Sequence, residues 1–356
     1  MKLSIARLLT LAGLSFCATA WGAMGVTTLA ESGEWAPVTV FYPTVEAERP
    51  QRRGPFELQF AADAVPARGN GRLVVISHGS GASPWVQTDI ARAFVAAGFV
   101  VALPWHRGDN FQSHADVGPV SWERRPLEVS AAIDRLGADP RFAPLLALDR
   151  VGLWGMSAGG HTVLAMAGGR WSPAEWARHC QERLEDDFHG CVGLVTRLRG
   201  NAMDGLKKAV ARIVIRIRFG GDDRWRQHHD PRIAVAVAAV PLASDFDVSG
   251  FATAGIPLGL VRSGADLWLP TALHLDRVLA ACTRCELLAD VPDGGHGLWL
   301  SPLPPGLTGL EADLILDPPG FDRPARRAEL AAAHDRIVAF VARHVLAAPG
   351  APQLPP

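Results

Sequence analysis

Short, unbroken apolar runs alternate with helical patterns along most of this chain, and that alternation admits few architectures. Residues 72–77, 99–103 and 150–154 are runs rich in Val, Leu and Ile with no polar alternation. Each is followed by a helix-patterned stretch, at residues 88–97, 126–136 and 161–167. A strand without a polar face must be covered on both sides, which a parallel sheet between two helix layers provides. The series resumes at residues 233–240, 256–261 and 286–291, and closes on an amphipathic helical pattern over 325–345. Before it, residues 38–42 and 56–60 are short extended runs separated by Pro and Gly, which predicts an antiparallel opening.

The stretch 168–229 interrupts the series. It is polar, carries Trp and Cys, and contains no strand that fits. An insertion of this kind is expected to lie as a lid over the site that the sheet builds. Within it, residues 212–218 (Arg-Ile-Val-Ile-Arg-Ile-Arg) alternate charged and apolar groups. That pattern fits a solvated amphipathic element, or a transient contact with an anionic membrane surface. With 356 residues and 48% hydrophobic content, the chain supports one large α/β domain, expected over 24–350, with a short tail at 351–356.

A net charge of −1 argues against a nucleic-acid partner. Met1-Lys2 and Arg7 precede an apolar run from Leu8 to Ala20 and small-residue cleavage sites ending at Ala20 and Ala23. This reads as a secretory leader over 1–23, too short for a membrane span, so a periplasmic or secreted protein is expected. Outside the leader the chain holds Cys180, Cys191, Cys282 and Cys285. An even set in an oxidising compartment predicts two disulfides, with proximity favouring Cys180–Cys191 and Cys282–Cys285. Cys282-Thr-Arg-Cys285 follows a helical pattern instead of opening one, so a structural staple fits it better than a redox pair. No further ligands stand at zinc spacing.

One turn in this frame carries chemistry. Gly155-Met-Ser157-Ala-Gly159 lies between the run at 150–154 and the helical pattern that follows, which is where a nucleophilic serine is lifted out of a sheet. Ser157 needs a base, an orienting acid and donors for an oxyanion. His296 is the candidate base, in Asp293-Gly-Gly-His296-Gly297 after the last core run; His161 sits on the elbow helix and should point away. Asp266, just past the preceding run, is the candidate acid, with Asp290 and Asp293 as rivals. Oxyanion donors are expected from the amides of Ala158 and of Ser80, in the turn His78-Gly79-Ser80-Gly81. His78, Trp105 and His106 follow strand ends and are candidate pocket residues, with a packing role equally open for Trp105.

These motifs resemble the α/β-hydrolase superfamily, whose chain order is Ser…Asp…His. Within it the chain is similar to secreted bacterial proteins of the dienelactone-hydrolase-like type and to platelet-activating-factor acetylhydrolases. The resemblance rests on Ser77-His78-Gly79-Ser80-Gly81, Pro104-Trp-His106-Arg-Gly-Asp-Asn110, Gly155-Met-Ser-Ala-Gly159, Asp230-Pro-Arg-Ile233, Gly264-Ala-Asp266, Gly295-His296 and Asp317-Pro-Pro-Gly-Phe321, and spans about residues 36–345. It implies serine-dependent cleavage of a small ester or a lipid through an acyl-enzyme, without metal or organic cofactor. Dienelactone hydrolases place a cysteine where this chain has Ser157, and Met156 stands where acetylhydrolases often carry histidine. Amide cleavage, acyl transfer and a catalytically silent binding module on the same fold are the alternatives.

Overall fold

The computed structural model describes residues 22–253, 255–315 and 324–347. The expected leader up to residue 21, the Asp317–Phe321 motif and the expected tail lie outside the described residues. The chain opens with β1 (Ala23–Leu29), β2 (Val38–Thr44), β3 (Arg49–Arg53) and β4 (Phe56–Ala62). It then alternates through β5 (Leu73–Ser77), α1 (Thr88–Ala96), β6 (Val100–Pro104), α2 (Pro119–Ala138), β7 (Val151–Met156) and α3 (Ala158–Met166). The insertion holds the two-residue β8 (Arg170–Trp171), α4 (Pro173–Arg183), α5 (Phe188–Val192) and α6 (Met203–Phe219). After it come β9 (Ile233–Ala239), β10 (Phe246–Asp247), β11 (Leu258–Ser263), α7 (Leu275–Ala281), β12 (Glu286–Val291), α8 (Gly309–Ile315) and α9 (Pro324–Val345).

Ten strands form one sheet in the order β12-β11-β9-β7-β5-β6-β2-β1-β4-β3, with β12 through β6 mutually parallel. Successive side chains in the parallel strands go to opposite layers. Val74, Ile76, Trp154 and Val237 pack with α1 and α9, whereas Val75, Leu153 and Ala236 pack with α2 and α3. Trp154 is fully buried on β7, and its indole N–H donates to Gln87 Oε1 at 3.1 Å, so the interior keeps no unpaired donor there.

Three local expectations change. The chain also forms β1 and β3, which its apolar patterning does not predict, and Ala23, the expected end of the leader, is the first residue of β1. The opening strands are not wholly antiparallel, because β1 runs parallel to β4 while pairing antiparallel with β2. The helix expected from Pro126 starts at Pro119, after Gly118 at φ +101°. Proline's missing N–H costs nothing in a first turn, so the earlier proline opens the helix and Pro126 lies inside it. The added turns carry Ser121, Trp122 and Arg125 to the buried face.

Both disulfides form with the expected pairing, Cys180–Cys191 joining α4 to α5 and Cys282–Cys285 closing the turn before β12. Serine substitution of each pair should lower stability according to the loop released. The estimate is about 3 kcal/mol for Cys180/Cys191 and about 2 kcal/mol for Cys282/Cys285. Chemical denaturation of the two double variants checks the order, which fails if the shorter loop costs more.

Candidate active site

The turn from β7 into α3 places Ser157 with φ +56° and ψ −120°, a backbone conformation that L side chains rarely adopt. Its glycines are set by contact. A Cβ at Gly159 would lie 1.8 Å from the Ser77 carbonyl oxygen, and one at Gly155 would lie 2.2 Å from that of Gly159. The strain is held by the Ser157 amide donating to Ala239 O (3.0 Å) and by Leu242 N donating back to Ser157 O (3.2 Å).

Beyond the ends of β11 and β12, two loops bring Asp266 and His296 to this turn. Gly264 N donates to Val291 O and Ala265 N to Gly294 O, which laces the loops together. Asp266 Oδ1 accepts from the amides of Trp268 and Leu269, both at 2.8 Å. Its Oδ2 faces His296 Nδ1 at 2.7 Å, and His296 Nε2 lies 3.0 Å from Ser157 Oγ. With Nδ1–H donating to the carboxylate, Nε2 is left as the acceptor for the serine hydroxyl. The Trp268 ring stacks on the imidazole at 5.7 Å. The rivals are engaged elsewhere: Asp290 pairs with Arg262, Asp293 with Arg326, and His161 with Asp245.

The turn at 78–81 lies against the serine, since a Cβ at Gly79 would sit 3.5 Å from Ser157 Cβ. Ala158 N is the first amide of α3, where no helical acceptor precedes it. Among the described residues the Ser80 amide has no acceptor either. A buried polar scaffold holds this turn from behind. Asp109 Oδ1 accepts from Ser80 Oγ (2.6 Å) and Gly81 N (2.8 Å), and its Oδ2 accepts from Ser121 Oγ (2.7 Å) and Arg125 (2.8 Å). Arg125 also donates to the His78 carbonyl at 2.5 Å. Burial opposes ionisation of Asp109, but the Arg125 charge and these donors together outweigh it and hold the carboxyl well below the usual range.

His78, Trp105 and His106, expected in the pocket, do not line it. His106 Nδ1 donates to Glu128 Oε2 (2.6 Å) and Nε2 accepts from Ser77 Oγ (2.8 Å), all fully or nearly fully buried. Burial and the neighbouring Arg125 charge push the His106 pKa down, which keeps it neutral in that relay. His78 is lowered to about 3 by burial, by His106 and by Arg125. Trp105 packs on Phe111 and donates to Thr39 Oγ1. His78 and His106 thus lie behind the turn, and Trp105 takes the packing role open to it, because strand-end position does not say which way a side chain faces.

A cavity of about 1010 Å³ opens over Ser157 and His296. Its walls are mainly aromatic and aliphatic, with Trp85, Trp122, Trp176, Phe219 and Trp268 prominent, and no sequence motif points to any of them. α5 and α6 of the 168–229 segment contribute His189, Val192, Leu206, Val210, Ile215 and Phe219 to this lining. It is fastened to the core where Asp187 Oδ2 accepts from His179 Nε2 (2.7 Å) and His274 Nε2 (3.0 Å). Cys191 adjoins this cluster, but its sulfur is bonded to Cys180 and is not a free metal ligand. Among the described residues no helix is long and apolar enough to cross a membrane.

No family model and no curated protein sequence matches the chain. Among solved structures it is similar to a ferulic acid esterase from Streptomyces cinnamoneus. The two share 17% identity with a TM-score of 0.53, over 93% of each chain. At that identity the likeness speaks for architecture. A mostly parallel sheet wrapped by helices, with a serine on the turn after one of its interior strands, identifies this chain as having the α/β-hydrolase fold.

Proposed function

We propose that the protein is a serine hydrolase that cleaves carboxylic esters through an acyl-enzyme. The observation that carries this is the series Asp266 Oδ2–His296 Nδ1 (2.7 Å) and His296 Nε2–Ser157 Oγ (3.0 Å), opening onto a large apolar cavity. In this reading His296 takes the serine proton as Ser157 Oγ bonds to the acyl carbon, and Asp266 orients the imidazole and stabilises its charged form. The amides of Ala158 and Ser80 receive the oxyanion. His296 then protonates the departing alcohol. A water entering by the same route is deprotonated by His296 and releases the acid.

An ester is favoured over other acyl donors because a protein of the same fold is an esterase. A serine nucleophile agrees with the resemblance to acetylhydrolases and separates the chain from true dienelactone hydrolases, which use a cysteine there. The apolar walls favour substrates with a sizeable aliphatic or aromatic acyl or alcohol part. Two disulfides support a setting outside the cytoplasm.

A fluorophosphonate tests the nucleophile directly. One covalent adduct per chain is expected, on the peptide that carries Ser157. A folded protein that takes up no label, or takes it up at another residue, overturns the assignment.

A further inference from the structure

The helix α6 carries two apolar faces, and packing against α4 covers only one. Ile215 is buried, Ala211 and Phe219 are partly so, and Phe219 packs edge-on against Trp176 of α4 at 5.1 Å. On the other side Met203, Leu206, Val210, Ile213, Val214 and Ile217 recur at helical spacing as a single stripe. Each is at least half exposed, and Ile217 reaches 77%. An unsatisfied apolar stripe of this length on a helix marks a contact surface.

Charge indicates what the contact is. Over its 17 residues α6 has five cations, Lys207, Lys208, Arg212, Arg216 and Arg218, against one carboxylate, Asp204, in a chain of net charge −1. Among the described residues Arg216 and Arg218 have no carboxylate partner; Lys207 pairs with Asp204, and Lys208 and Arg212 with Glu185. Beside the stripe, a groove of about 500 Å³ is lined by Arg197, Arg199 and Lys207 together with Val195 and Met203. Two copies of this face would set like charges against each other, whereas an anionic partner complements it. An apolar centre flanked by cations along one helix fits a helix lying in the plane of an anionic lipid surface.

We propose that the exposed face of α6 and the adjoining basic groove dock the protein on an anionic lipid–water interface. Apolar side chains enter the acyl region while Arg199, Arg216 and Arg218 meet headgroup phosphates. Val195, Leu206, Val210 and Val214 are exposed at the surface and also line the cavity above Ser157. A lipid-soluble ester therefore passes from the interface to the cavity along apolar side chains. That delivery step rests on the ester-hydrolase reading; docking does not.

The test is co-sedimentation with vesicles of phosphatidylcholine alone or with about 30% phosphatidylglycerol, where each cation adds to the attraction. Binding to the anionic vesicles should be about ten-fold tighter, and should weaken several-fold as salt shortens the screening length. Ile213, Arg216 and Ile217 do not line the cavity, so the triple variant Ile213→Ser/Arg216→Gln/Ile217→Ser isolates the docking face. It should lose about ten-fold in vesicle binding while hydrolysing a soluble p-nitrophenyl ester within two-fold of the parent. A parent protein that stays in the supernatant at low salt overturns the proposal, as does a triple variant that binds unchanged. A dimer dissolved by the same substitutions, without vesicle binding, assigns the face to a second copy instead. Ser157→Ala protein should bind vesicles like the parent, so failure of the hydrolase reading leaves this result independent.

Discussion

Replacing Ser157 by alanine should lower turnover of a p-nitrophenyl ester by about 10⁴- to 10⁶-fold, the scale seen when one member of a hydrogen-bonded nucleophile–base unit is removed. The fold should be untouched, because the hydroxyl's bond to His296 Nε2, at 3.0 Å, ties together loops that backbone hydrogen bonds already hold. Backbone geometry makes the companion variant more informative. Ser157 sits at φ +56°, and strain of this kind costs of order 1–3 kcal/mol. Glycine adopts that conformation freely, at the cost of a more flexible unfolded chain. Ser157→Gly should therefore abolish turnover and also raise stability by about 1 kcal/mol, the relief exceeding the entropy. Thermal denaturation of the alanine and glycine variants reads this out. A glycine variant that melts below the alanine one would show that the turn is not held against a backbone preference. Residual turnover above about 1% in either variant would remove Ser157 from the chemistry.

Arg125→Leu should be the most damaging substitution for stability, at about 3–5 kcal/mol, because it strands a buried carboxylate. Arg125 and Asp109 are both fully buried. Without the guanidinium, burial of Asp109 is opposed only by the hydroxyl and amide donors of Ser80, Ser121 and Gly81, so its carboxyl shifts upward. The pH signature follows. A depressed carboxyl contributes stability above its unfolded value near 3.8, and loses it as pH falls through the lower folded value. In Arg125→Leu that contribution should vanish, flattening the acid limb of the stability curve. Arg125 also donates to His78 O, and Asp109 accepts from Ser80 Oγ and Gly81 N, so the turn that presents the Ser80 amide loosens as well. The kcat of ester hydrolysis should fall by about 10²-fold with a smaller change in KM, as expected when an oxyanion donor is misplaced. Asp109→Asn/Arg125→Leu should recover part of the stability without recovering kcat. A single Arg125→Leu variant within 1 kcal/mol of the parent would refute the scaffold role.

Much of this site is legible in the chain because its constraints are local. Gly155 and Gly159 face backbone oxygens at distances no Cβ tolerates, so the pentapeptide around Ser157 states its own turn. Asp266 and His296 can be placed because each follows a strand that periodicity identifies, and the loops after neighbouring parallel strands must meet at one edge. The disulfides pair by simple proximity. β3 leaves no such signal because Arg-Pro-Gln-Arg-Arg has no apolar alternation; its strand character comes from pairing with β4 at the sheet edge. β1 is masked because its own small and apolar letters continue the apolar run at 8–20 without a break in pattern.

The pocket and its support belong to the tertiary structure alone. Trp85, Trp122, Trp176 and Phe219 come from four separate elements and become one apolar wall only when those elements pack. Asp109 and Arg125 are 16 residues apart and unremarkable as letters. They matter because packing removes both from water, which turns an ordinary ion pair into a constraint on the neighbouring turn. Residues 212–218 are ambiguous in sequence for the same reason: which side of a helix is covered is set by the elements that pack against it. The sequence by itself determined the alternating strands and helices, the serine turn and the order of its partners, since backbone sterics and periodicity act over a few residues. Only the tertiary structure decided what the site is lined with and which face of α6 meets solvent, because burial and desolvation sum over parts of the chain that sequence distance keeps apart.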